Sequence, residues 1–235
     1  MKVLITSHQF EASGKLAYLL MDLEVVFGDL SVDFPKVESV SLAHEILKFS
    51  LDNCITHIYP TRFEDLAPLK KSQILFDEFD IKIMLSTDEV IFNNPSAEAE
   101  SYSSLSSKIL SLGYPNQNIA LGNADGKGGL ISIDDNIKNF SNIWNQIKSV
   151  SFIQIGKLFN QSNFENIQLY TFKTEIKKSF VLIREDQKID FFEDFDNDLQ
   201  SEIKRIILDK NVLGFYVIDY DEEKILRIKN AALSC

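Results

Sequence analysis

Cysteine, histidine and tryptophan are scarce in this chain, which has two cysteines, three histidines and one tryptophan among 235 residues. The two cysteines, Cys54 and Cys235, lie far apart, whereas a secreted protein of this size more often carries a disulfide framework. We therefore expect a reduced, cytoplasmic protein. Because no cysteines and histidines cluster in the sequence, the composition also argues against a zinc site.

Positive charge and long apolar runs are lacking as well. The chain has 24 basic and 35 acidic residues and a formal net charge of -11. Non-specific binding of nucleic acid depends on Lys and Arg that neutralise phosphates, so we predict no nucleic-acid partner. No apolar run is long enough to span a bilayer, and "MKVLIT" is followed at once by the polar "SHQFEASGK". We therefore expect neither a membrane partner nor a signal peptide.

Strand and helix patterns alternate over residues 1–92. Short apolar segments typical of buried parallel strands are followed by segments whose apolar residues have helical spacing. The expected strands are 2–6, 24–29, 55–60 and 81–86, and the expected helices are 13–23, 41–53 and 64–79. This alternation predicts an α/β domain with a parallel, Rossmann-like sheet and helices on its faces.

A polar segment, "NNPSAEAESYSSLSSK" (93–108), separates this part from the rest of the chain. Its small polar residues predict few core contacts, and we expect a linker and a helix over 93–115. Beyond it, strands follow one another with short turns and only two interposed helical patterns, at 137–148 and 198–209. The expected strands are 118–122, 129–134, 151–156, 166–173, 179–185, 214–220 and 224–229. Such a succession predicts an α+β domain with a mainly antiparallel sheet over 116–235.

The most glycine-dense stretch is "NADGKGG" (123–129), between two expected strands. It is not a P-loop, because only three residues separate Gly122 from Gly126 and Gly128 stands where that motif has Ser or Thr. Two interpretations stay open. The stretch is an ordinary hairpin, for which Asp-Gly is a strong turn signal, or its amide groups and Lys127 form a nest for phosphates.

The order of these segments resembles that of the ATP-grasp superfamily, with a preATP-grasp domain before the ATP-grasp domain. The segment "ITHIYPTRFEDLAPLKKSQILFDEFDIKIMLS" (55–86) is similar to the end of the preATP-grasp domain. "LGYPNQNIALGNADGKGGLISIDD" (112–135) is similar to the glycine-rich segment of the family, and "SFIQIG" (151–156) to its adenine-contacting hinge strand. "LGFYVIDYDEEKILRIKN" (213–230) is similar to the closing hairpin that carries magnesium ligands.

The resemblance implies a protein related to ATP-dependent carboxylate–amine ligases, with ATP and Mg²⁺ as ligands. The positions it assigns to nucleotide binding are Gly126, Lys127, Gly128 and Gly129 at the phosphates and Gln154 and Ile155 at the adenine. It assigns the metal to Asp219 and Asn230. It identifies no catalytic residue.

The closing hairpin departs from the family pattern. The family's "E-I-N-P-R" falls on residues 228–232, where Asn230 remains and the acidic ligand is missing. The family's phosphate-contacting lysine falls on Gly122 or Asn123. Arg227 and Lys229 stand close to Asp219 in the hairpin, and we expect a cation here to pair with that carboxylate in place of a metal.

These departures predict a member that is reduced or inactive as a catalyst and holds ATP and Mg²⁺ weakly or not at all. Whether the chain is an enzyme stays open. One alternative is a non-catalytic binding or scaffold subunit of a partner enzyme. Another is an α/β nucleotide- or sugar-binding protein that uses the sheet edge near His8 and Asp29.

Overall fold

The computed structural model describes residues 1–86, 90–100, 102–124, 128–133, 167–193, 195–210 and 212–234. The strands are β1 (Lys2–Ile5), β2 (Glu24–Phe27), β3 (His57–Tyr59), β4 (Lys82–Ile83), β5 (Phe92–Asn93), β6 (Ala97–Ala99), β7 (Asn118–Asn123), β8 (Ile131–Ser132), β9 (Ile167–Phe172), β10 (Lys177–Ile183), β11 (Ile189–Phe191), β12 (Gly214–Tyr220) and β13 (Ile225–Asn230). The helices are α1 (Glu11–Leu19), α2 (Leu42–Asp52), α3 (Phe63–Lys71), α4 (Gln73–Asp77), α5 (Tyr102–Ser111) and α6 (Asn197–Lys210). No helix among these residues is long and apolar enough to cross a bilayer.

The first four strands form a parallel sheet in the order β2-β1-β3-β4, which we call the parallel sheet. Successive residues of a strand face opposite sides, and here both sides are covered. Leu4 packs with α2, α3 and α4, whereas its neighbours Val3 and Ile5 pack with α1. The continuous apolar run of β1 therefore reflects burial on both faces, as the sequence predicts.

The central sheet is antiparallel and has the order β11-β10-β12-β13-β5. One face packs on α6, with Val181 and Ile218 against Ile203. The other face shares a core with the parallel sheet, in which Phe180 and Val217 join the side chains around α1. The core thus continues from the parallel sheet into the central sheet.

The outer sheet is also antiparallel and has the order β6-β9-β7-β8. Helix α5 covers one face through the buried Leu105 and Ile109. On the opposite face, Tyr170 and Phe172 pack against Leu226 of β13. The central and outer sheets therefore face each other, and the sequence-predicted class, a parallel sheet followed by a mainly antiparallel α+β part, is confirmed.

The segment 93–115 is more deeply packed than its polar sequence suggests. It contributes Asn93 to β5, the whole of β6 and helix α5. Ala99 and Leu105 are buried in the core of the outer sheet, so the expectation of few core contacts is wrong at these positions. Ala99 and Leu105 are apolar residues within a segment whose average composition is polar, so its composition does not reveal their burial. The division into domains 1–92 and 116–235 stays a prediction.

Candidate functional site

The glycine-rich stretch connects two paired strands. Leu121 of β7 pairs with Ile131 of β8 in antiparallel register, so the described ends of the stretch form a hairpin. Gly126 and Lys127, predicted to contact phosphates, lie outside the described residues, as do Gln154 and Ile155 at the predicted adenine position. Gly128 has a φ of 70°, a left-handed conformation that favours glycine. In this conformation its carbonyl accepts hydrogen bonds from the central sheet.

Two cationic side chains of β13 reach the carbonyl of Gly128. Arg227 donates from Nη2 to this oxygen over 3.0 Å, and Lys229 donates to the same oxygen from Nζ. The two residues are two positions apart on one strand and therefore face the same side of the central sheet. Each is only 1% exposed. Because a buried charge is costly unless it is paired, this burial requires compensating partners.

Asp219 supplies such a partner. It lies opposite Arg227 in the β12–β13 register, and Arg227 Nε is 2.5 Å from its Oδ2 atom. The two side chains are 3% and 1% exposed, so water scarcely screens the pair. The sequence-based prediction that a neighbouring cation pairs with Asp219 is therefore confirmed. The negative charge that would attract a metal is instead committed to a guanidinium.

Asn230, the second predicted metal ligand, faces the other way. It pairs with Tyr216, three residues before Asp219 on β12, and side chains three apart on a strand lie on opposite faces. Its Nδ2 donates to the carbonyl of Ser86 over 3.4 Å, and its Oδ1 accepts from the backbone N–H of Ala232 over 3.0 Å. The structure therefore does not bring Asn230 and Asp219 together.

These residues do not fit a magnesium ion. Mg²⁺ demands near-octahedral oxygen coordination and is usually held by one or two carboxylates together with phosphates and water. Asp219 is paired with Arg227, and Asn230 uses both ends of its amide within the protein. Over the part of the chain that the structure describes, no group of three or more His, Cys, Asp or Glu residues could hold a metal.

A polar network near Arg227 joins Gln168 and Tyr170 of the outer sheet to Asn93 of the central sheet. The hydroxyl of Tyr170 contacts Asn93 and lies 2.8 Å from Gln168 Oε1, which also accepts from Asn93 Nδ2 over 2.6 Å. Burial raises the pKa of Tyr170 to about 12, although the charge of nearby Arg227 lowers it. Tyr170 therefore stays neutral at physiological pH. This network is not evident from the sequence, although the two-residue spacing of Gln168 and Tyr170 on a predicted strand places both side chains on one face.

Gly122, one of the two positions matching the family's phosphate lysine, lies beside Arg227. A Cβ atom at Gly122 would lie 3.3 Å from Arg227 Nη1 and 2.7 Å from a methyl carbon of Leu130. The missing side chain on β7 therefore makes room for the guanidinium of β13. Arg227 Nη1 is buried and has no hydrogen-bond acceptor among the described residues.

A second polar cluster occupies the carboxyl-end edge of the parallel sheet, near His8 and Asp29. Ser7 Oγ donates to Asp29 Oδ2 over 2.6 Å, and the backbone N–H of His8 donates to Oδ1 over 2.9 Å. Burial alone would raise the pKa of Asp29, but these hydrogen bonds outweigh it and the pKa is lowered. The carboxylate is ionised, and both its oxygens are already in use. Because Oδ2 keeps a further acceptor site beside the bond from Ser7, these contacts do not test the alternative of a nucleotide or sugar ligand at this edge, which stays a prediction.

Solved structures of two enzymes are similar in fold to this chain. Biotin carboxylase from Campylobacter jejuni, in a β-γ-ATP complex, matches with a TM-score of 0.54 and 9% identity over 97% of this chain. N5-carboxyaminoimidazole ribonucleotide synthetase from Thermus thermophilus matches with a TM-score of 0.51 and 10% identity, also over 97% of this chain. The match covers 65% of the biotin carboxylase chain and 70% of the synthetase chain. No family model and no curated protein sequence matches this chain. At this level of identity the matches show the fold alone, and it is the ATP-grasp fold that the sequence resemblance implies.

Proposed function

We propose that this chain is a nucleotide-binding protein related to ATP-dependent carboxylate–amine ligases that has lost magnesium-dependent catalysis. The observation that carries the proposal is the buried ion pair between Asp219 and Arg227, with its separation of 2.5 Å. A carboxylate held by a guanidinium in this way is neutralised before any metal arrives. The shared fold supports a nucleotide as the ligand, whereas this pair argues against a metal ion held by Asp219.

The chemistry of a ligase explains why this loss matters. An active enzyme of this class transfers a phosphoryl group from ATP to a carboxylate, and an amine then attacks the acyl phosphate. Phosphoryl transfer needs the charge on the moving group to be neutralised by metal ions and by cationic side chains together. Here Asp219 is already paired, and Gly122 offers no side chain. The site residues that remain favour binding of ATP over its turnover.

A chain of this kind suits a role in which it binds a nucleotide and assists a partner enzyme. Gly126, Lys127, Gly128 and Gly129 would contact the phosphates through their amide groups, and Lys127 would add its charge. Gln154 and Ile155 would flank the adenine. These assignments remain part of the proposal, together with the partner protein.

We expect weak ATP binding and no phosphate release above background. Calorimetry should give a dissociation constant of about 0.1–1 mM, equivalent to about 4–5.5 kcal/mol of binding free energy. Lys127→Ala should weaken binding further, because the amide groups would then face the phosphates alone. Phosphate release, measured with Mg²⁺ and a panel of amino acids and amines, should match a protein-free control.

Two results would contradict this proposal in different ways. Brisk magnesium-dependent turnover that disappears in Asp219→Ala would show that Asp219 serves a metal after all. Failure to bind ATP under any condition would contradict the proposed nucleotide binding, and only the shared fold would then relate this chain to the ligases.

A further inference from the structure

We propose that Arg227 binds a phosphate-type oxyanion directly, between the central and outer sheets, without a divalent cation. The inference rests on the proposed function in that the phosphate belongs to a bound nucleotide. It goes further, because it names the group that replaces the metal.

The first observation is the unused nitrogen of this guanidinium. Arg227 directs Nε to Asp219 and Nη2 to the carbonyl of Gly128, but its buried Nη1 finds no acceptor among the described residues. Polar groups inside proteins are almost always hydrogen-bonded, so an unpaired guanidinium nitrogen indicates an acceptor that comes from outside. The planar fork of arginine matches the geometry of phosphate oxygens.

The second observation is the carbonyl of Gly128. It accepts hydrogen bonds from two cationic side chains, Arg227 and Lys229, although a carbonyl oxygen carries only a partial negative charge. Charged donors bind most strongly to charged acceptors. We therefore interpret this carbonyl as occupying the place of an oxyanion oxygen, which would displace it when a ligand enters.

Room for an anion beside Nη1 comes from the carbonyl of Gly128, which the ligand displaces. It does not come from β7, where even a Cβ atom at Gly122 would lie 3.3 Å from Nη1 and 2.7 Å from Leu130. The nearby Tyr170 is kept neutral by a pKa of about 12, so it adds no repulsive negative charge. Asp219 fixes the guanidinium through Nε, on a different nitrogen from the one that is unused.

The test is calorimetry with three probes, namely ATP, inorganic phosphate and adenosine, each in EDTA and each in Mg²⁺. ATP should bind equally well in both buffers, within a factor of about two, and adenosine about tenfold more weakly, as expected for losing hydrogen bonds to a charged group. Inorganic phosphate should compete with ATP. Loss of ATP binding in EDTA would overturn the inference and leave nucleotide binding intact.

A conservative variant isolates the nitrogen itself. Arg227→Lys keeps a positive charge beside Asp219 but lacks Nη1, and it should weaken ATP binding about tenfold. The matched control is Arg184→Lys, because Arg184 Nε also lies 2.5 Å from an aspartate, Asp190 Oδ2. This control should bind ATP as the parent does. Unchanged affinity in a folded Arg227→Lys would overturn the inference.

Two further outcomes keep the two proposals apart. If circular dichroism shows that Arg227→Lys does not fold, Asp219→Asn combined with Arg227→Gln removes the pair together and should lose phosphate binding. Retained phosphate affinity in that double variant would overturn the inference. If inorganic phosphate binds and ATP does not, the result would support the oxyanion site and contradict the proposal that the ligand is a nucleotide.

Discussion

Arg227→Met should lower the free energy of unfolding by about 3–5 kcal/mol, the cost of leaving a buried charge without its partner. Asp219 is 3% exposed at its side chain and would lose the guanidinium that lies 2.5 Å away. Urea denaturation of parent and variant at neutral pH measures the difference through the transition midpoint.

Two companion variants control this result. Arg184→Met breaks a pair of similar length with Asp190, but those side chains are 19% and 18% exposed, so we expect a smaller loss of about 1 kcal/mol. Asp219→Leu combined with Arg227→Met removes both charges and should restore much of the stability. A loss in Arg227→Met no greater than in Arg184→Met would mean that the buried pair is energetically unimportant.

Gly214→Ala should be the second severe substitution, with a loss of about 2–5 kcal/mol from backbone strain and overpacking together. Gly214 has a φ of 113°, which side chains rarely adopt. An added Cβ would lie 2.4 Å from Ser86 Oγ and 3.0 Å from the Cα and N atoms of Ser86. Ser86 cannot easily retreat, because its hydroxyl accepts from Phe215 N over 2.8 Å and donates to Phe215 O over 3.0 Å.

The control for this substitution is Gly129→Ala. No atom lies within 4 Å of a Cβ at Gly129, and its φ is outside the left-handed region. Its unfolding free energy should stay within about 0.5 kcal/mol of the parent. Thermal unfolding of the two alanine variants gives the comparison directly. Similar transition temperatures for Gly214→Ala and Gly129→Ala would show that the contact between Ser86 and β12 contributes little to stability.

The sheets could be predicted because their sequence signals are local. The alternation of apolar strands and amphipathic helices over residues 1–92 predicts the parallel sheet. The continuous apolar run of β1 is part of this signal, because β1 is buried on both faces. The long strand β12 coincides with the predicted segment 214–220, and β10 overlaps the predicted segment 179–185 but begins two residues before it. The pairing of a cation with Asp219 could also be anticipated, because a tight hairpin brings β12 and β13 side by side.

Other features depend on contacts that sequence spacing does not reveal. Asn230 appeared to be a metal ligand by its place in the closing hairpin, but strand parity turns it to the opposite face, where it bonds to Ser86. The carbonyl of Gly128 meets Arg227 only because the outer sheet faces the central sheet. Asp29 is satisfied by Ser7, 22 positions away in sequence. Each of these contacts requires the register and packing of distant elements.

The most direct test of the account is a titration with Mn²⁺, a divalent ion that can replace Mg²⁺ at oxygen ligands, followed by electron paramagnetic resonance of the free ion. The central claim is that Asp219 serves Arg227 and not a metal. We predict that the parent and Asp219→Asn leave the same amount of Mn²⁺ free at every protein concentration. A manganese ion that binds the parent stoichiometrically and is lost in Asp219→Asn would contradict the claim.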